Sequence, residues 1–76
     1  MEQAVLDGEL ASYIKAEINK LDDKLRIPLY LYYTDEMSVD AIANLLAVPS
    51  GTVKSRLHKA RRRLRKQLEV YEYAAD

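Results

Sequence analysis

The chain has 76 residues, no cysteine and one histidine, so it has room for one small domain and excludes disulfides, thiolate metal sites and histidine clusters. No apolar run approaches the roughly 20 residues a bilayer crossing needs, and no signal-peptide pattern opens the chain, so a soluble, cytoplasmic protein is expected. The formal net charge of zero conceals a segregation: residues 1–50 carry nine acids and four bases, whereas residues 51–76 carry eight bases and three acids. All eight of those bases fall within 54–66, where there is no acid, so an anionic partner is expected at one end only.

Four helices are predicted in chain order. Residues Met1–Leu6 read as a frayed end or part of a linker, with the domain running from 7 to 76. In the first helix Leu10, Ile14, Ile18 and Leu21 recur at helical spacing and build one apolar face. The second begins near Asp22-Asp23, carboxylates suited to an N-cap and first turn, and runs through Leu25, Leu29, Tyr32 and Tyr33. Pro28 inside it forfeits the bond to the Lys24 carbonyl and predicts a kink, and Thr34-Asp35-Glu36 reads as a polar turn.

The third helix starts after Ser38, a good N-cap, and places Val39, Ile42, Ala43 and Leu46 on its apolar face before Ala47-Val48-Pro49 ends it. Pro49 then suits the first position of the fourth helix. At 100° per residue from Val53, the positions Leu57, Ala60, Leu64, Leu68 and Tyr71 share an arc of about 80° with it. Gly51, Ser55, His58, Lys59 and Arg62 lie between about 140° and 240°, directly away from that stripe.

The short link between the third and fourth helices fits a helix-turn-helix, with the roughly 38–46 and 49–70 segments as its two arms. Ala43 is small where crossing helices approach, Val48 sits in the turn and Val53 points back to the core. The fourth helix is then the reader, its first turns toward base edges in the major groove. Its first exposed residues are Ser50, Gly51, Thr52, Lys54, Ser55, His58 and Lys59: small or hydrogen-bonding groups, then long cations. Free amides near Ser50–Val53 offer a phosphate site. Ala47 occupies the turn position where glycine is usual, at a cost of about 1 kcal/mol if left-handed.

The stretch Leu21–Arg65, LDDKLRIPLYLYYTDEMSVDAIANLLAVPSGTVKSRLHKARRRLR, resembles region 4 of extracytoplasmic-function sigma factors of bacterial RNA polymerase. The most specific piece is GTVKSRLHKAR at 51–61, followed by RRLR, and Arg26 and MSVDAIANLL agree in spacing. Asp22 departs from the usual proline of an LP start, and Ala47 from the turn glycine. The resemblance implies docking on the flap of the polymerase β subunit and reading of the promoter minus-35 element. It implies that Lys54, Ser55, His58 and Lys59 form the base-proximal face and that Arg56, Thr52 and Ser38 lie near the DNA backbone. Arg62 and Arg63 extend that DNA-binding set. It also implies anti-sigma factors as partners that mask this region. Nothing here resembles region 2, so the chain is expected to be an excised domain or a stand-alone relative.

Other classes fit less well. A basic amphipathic helix can bind membranes, but this apolar stripe is required by the domain's own core. His58 alone suggests no catalysis, the paired carboxylates sit at helix boundaries, and no nucleophile–base constellation or phosphate-cradling glycine loop is present, so neither enzyme activity nor a cofactor or metal is expected. A competing class is a protein-interaction module that binds polymerase or a regulator without choosing promoters. Two features stay open: whether Tyr30, Tyr32 and Tyr33 fill the core or face a partner, and whether Arg61–Lys66 reach beyond the groove.

Overall fold

The apolar periodicities close into four helices: α1 (Glu2–Asn19), α2 (Asp23–Tyr33), α3 (Val39–Leu46) and α4 (Ser50–Ala75). The computed structural model describes the backbone of residues 2–75 and the side chains of residues 8–70. No strand occurs among the described residues, and the all-α architecture with α3 and α4 as a helix-turn-helix is as expected.

The first helix is the least embedded. Leu10, Ile14 and Ile18 are only half-buried, and the buried anchor is Leu21 in the turn that follows, its amide bonded to the Ile18 carbonyl at 3.0 Å. The Tyr13 hydroxyl donates to the Gln67 carbonyl at 2.8 Å and ties α1 to the far part of α4. Residues 2–6 continue α1 without a break in the helix.

Asp22 takes the extended N-cap conformation (φ −60°, ψ 152°), and its carbonyl accepts from Leu25 and Arg26 at 2.9 and 2.8 Å. Its carboxylate makes no capping bond, in contrast to the role its position suggests. Asp23 is committed elsewhere, to an ion pair with Arg26 one turn on. Pro28 is fully buried beside Leu25 and Leu29, and α2 continues past it to Tyr33. The Thr34 and Asp35 amides both return to the Tyr30 carbonyl, and Glu36 turns the chain with a left-handed φ of 54°. Met37 is thereby folded back, its amide bonded to the Leu31 carbonyl at 2.9 Å and its side chain against the core.

Ser38 caps α3 as anticipated: its Oγ accepts the Ala41 amide at 3.1 Å. At the other end Ala47 is left-handed (φ 58°, ψ 46°), with its own amide on Asn44 and the Val48 amide on Ala43 at 3.0 Å. This is a Schellman closure with alanine where glycine is favoured. The Pro49 carbonyl accepts from Thr52 and Val53 at 3.0 and 3.3 Å, so Pro49 precedes α4 rather than opening it.

Val53, Leu57 and Ala60 form the centre of the core at 0%, 2% and 0% exposure, joined by Ile42 at 0% and by Leu21, Leu25, Leu29 and Ala43. Leu64 and Leu68 continue the stripe half-buried, and Tyr71 lies outside the described side chains. Each of the other three helices packs on α4.

Two stability outcomes follow from this packing. Leu57→Ala should destabilise the domain by about 2–5 kcal/mol in urea titration, because the void opens where three helices meet. Ala47→Gly should stabilise it by about 0.5–1 kcal/mol, since relief of the left-handed methyl group outweighs the extra freedom of the unfolded chain. An unchanged midpoint for the first, or a loss for the second, would contradict the assigned core and cap.

Candidate nucleic-acid interface

The outward face of α4 exists because its inward face is fixed. With Val53, Leu57 and Ala60 sealed, Gly51, Lys54, Ser55, His58, Lys59, Arg62 and Arg63 are all held in solvent. Ser50, Thr52 and Arg56 are half-buried at the flanks of that face. A Cβ built on Gly51 meets nothing within 4 Å, so packing within the domain does not require glycine there. Ser38 is exposed at the start of α3 and engaged by its cap.

The expected residues fall into two grooves that share Lys59 and Arg63, with others outside both. Lys59, Arg62 and Arg63 share a groove of about 390 Å³ with Arg65 and Lys66, with Glu69 at its rim. Thr52, Ser55 and Arg56 line a second cleft, of about 420 Å³, to which Lys59 and Arg63 also contribute. Ser38 lies apart from both, in a recess with Tyr32, Glu36 and Met37. Lys54 and His58 line neither groove. Of the free amides anticipated at 50–53, those of Thr52 and Val53 are engaged by Pro49, which leaves Ser50 and Gly51.

Electrostatically the face is uncompensated. The ion pairs among the described residues are Lys20–Glu17 at 3.1 Å and Arg26–Asp23, and neither involves α4. Eight cations therefore sit on one helix without a carboxylate partner among the described residues. No three His, Asp or Glu side chains gather as a metal site among the described residues. No helix of the structure is long and apolar enough to cross a membrane.

One of the eight cations has an internal role that the basic run disguised. Arg61 Nε donates to the Tyr33 hydroxyl at 2.7 Å, and its guanidinium lies 5.6 and 5.5 Å from the Tyr32 and Tyr33 ring centres. The two rings meet edge to face at 4.9 Å. Tyr32 is half-buried against the core and Tyr33 is 56% exposed, so the tyrosines divide between both readings. Tyr30 is half-buried and lines an apolar groove of about 440 Å³ with Ile14, Ile18, Leu29 and Leu64. A signal for Arg61 was available: it lies at about 80° from Val53, beside the apolar stripe and outside the outward arc.

A long basic helix set behind a helix-turn-helix, its inner edge sealed and its outer edge unpaired, defines the helix-turn-helix DNA-binding class. The chain belongs to the sigma-70 region 4 family, whose model matches residues 11–64. It is similar to the ECF RNA polymerase sigma factor SigW of Bacillus subtilis, 48% identical over 67 residues that cover 88% of this chain and 36% of that protein. It is also similar to the RNA polymerase sigma-H factor of Pseudomonas aeruginosa, 34% identical over 68 residues, 90% of this chain and 35% of that protein. The ECF RNA polymerase sigma factor SigE of Mycolicibacterium smegmatis is 33% identical over 67 residues, 88% of this chain and 26% of that protein. The chain thus spans about a third or less of these relatives. The family is one of non-enzymatic transcription factors.

The Arg61 clamp gives a measurable coupling. Tyr33→Phe and Arg61→Ala should each destabilise the domain, by about 0.5–1 kcal/mol and about 1–2 kcal/mol. The double variant should cost less than the sum by about 0.5–1 kcal/mol in a double-mutant cycle. Strict additivity would mean that the contact is not formed in solution.

Proposed function

We propose that this domain reads the minus-35 element of double-stranded promoter DNA and docks on RNA polymerase core, at the β-subunit flap, in transcription initiation. The observation that carries the reading is the basic face of α4: besides Arg61, held by Tyr33, seven cations have no carboxylate partner among the described residues. The domain is taken as residues 7–76, acts in the cytoplasm and needs no cofactor. Lys54, Ser55, His58 and Lys59 approach base edges, with Gly51 leaving room for close contact. Ser38, Ser50, Thr52, Arg56, Arg62 and Arg63 serve the backbone.

Docking is supported by a separate feature, the apolar groove between α1, α2 and α4. It lies where the chain is half-buried rather than sealed, and it suits the polymerase flap or an anti-sigma factor. The same groove favours, as a second reading, a module that binds polymerase or a regulator without choosing promoters. Tyr33, rather than the half-buried Tyr30, is the exposed ring of α2 at this groove.

Binding of the isolated domain should be weak and steeply salt-dependent, because one small module makes few contacts and gains affinity by releasing counterions. Inside polymerase, tethering raises the effective concentration. Ser55→Ala and Lys59→Ala should change which bases are preferred across a set of minus-35 duplex variants. Arg56→Ala and Arg63→Ala should weaken all sequences alike and flatten the salt slope by about 1 each. Base preference that follows Arg56 and ignores Ser55 and Lys59 would overturn this orientation of α4. Polymerase binding by a parent domain that binds no DNA would favour the second reading.

A further inference from the structure

The cleft of about 420 Å³ beside α4 has two walls, and only one belongs to the recognition helix. The other is the first turn of α2, which contributes Lys24 and Asp22. Lys24 belongs to the acidic half of the sequence, and nothing in the basic run points to it. Its position is fixed by its neighbour: Leu25 is 7% exposed, within the same core cluster as Val53 and Leu57. The cleft therefore gathers four cations, Lys24 from α2 with Arg56, Lys59 and Arg63 from α4, around the Thr52 and Ser55 hydroxyls. Among the described residues none of these cations is in an ion pair.

We propose that Lys24 is a DNA-binding residue, closing this cleft across the two helices around a backbone phosphate, and that Asp22 at the same rim weakens the grip. A phosphate suits the cleft because it accepts from several donors at once and neutralises cations brought together from two helices. The Asp22 carboxylate makes no capping bond and, among the described residues, no ion pair, so no direct contact ties up its charge at the rim of the cleft. The domain thus holds DNA with a positive element outside the helix-turn-helix and opposes it with an acid two residues earlier, at the N-cap of α2. The inference rests on the DNA-binding reading above and adds to it a residue and a countercharge.

The test is a salt titration of the 76-residue chain with a short labelled DNA duplex, comparing parent with Lys24→Ala, Lys24→Arg and Asp22→Asn, and with Lys59→Ala and Arg62→Ala as controls for the DNA-binding reading. Lys24→Ala should lower affinity about tenfold at 0.1 M salt for every sequence tried, and reduce the log–log salt slope by about 0.9. Lys24→Arg should restore the slope. Asp22→Asn should tighten binding about twofold to fivefold. Thermal unfolding should be unchanged in the Lys24 and Asp22 variants, because both side chains are exposed. If Arg62→Ala and Lys59→Ala lower the slope while Lys24→Ala does not, the clasp is wrong and the DNA-binding reading stands. If none of these cations affects the slope, that reading fails as well. Unchanged or weaker binding by Asp22→Asn would refute its opposing role.

Discussion

Val53, Leu57 and Ala60 make one edge of α4 that water does not reach, and the other helices are arranged around that helix. The constraint is severe in a domain this small, where a single core supplies most of the available stability. It fixes the rotation of α4 about its own axis, because a turn of even one residue would carry leucines into solvent and arginines inward. The orientation of the basic face is thus a consequence of apolar packing. Charge decides what that face attracts, while the core decides where it points.

The same economy explains the two ends of the helix-turn-helix. A serine hydroxyl starts α3 and a strained alanine stops it, with one bond from Val48 to Ala43 holding the turn. These are short-range devices, each worth about 1 kcal/mol. Together they set the geometry between α3 and α4, which core burial alone leaves loosely defined. Arg61 acts similarly between α2 and α4, with hydrogen-bonding and cation–π geometry that a lysine would not reproduce.

Much of this was legible in the sequence, for identifiable reasons. The Val53–Leu57–Ala60 stripe, the Ser38 cap and the left-handed Ala47 all follow from local spacing or from one residue's chemistry. The polar turn at 34–36 was legible as a turn, but not the left-handed Glu36, since a glutamate carries no glycine-like signal for that conformation. Nor was the burial of Met37 visible, because it depends on that turn. The basic run was legible as a run, whereas its division into outward cations and an inward clamp depends on which helix lies alongside. The apolar face of α1 was legible from its spacing, but not its depth: Leu10, Ile14 and Ile18 are half-buried and Leu21 is buried.

That half-burial leaves α1, among the described residues, held by partly exposed apolar contacts and by the Tyr13 hydroxyl on Gln67. Elements of this kind open at free energies well below that of global unfolding. Since α1 also supplies Ile14 and Ile18 to the apolar groove, whatever fills that groove adds contacts that hold the helix in place. Part of its interaction energy is then recovered as protection of α1, and hydrogen exchange in this helix becomes a report on occupancy.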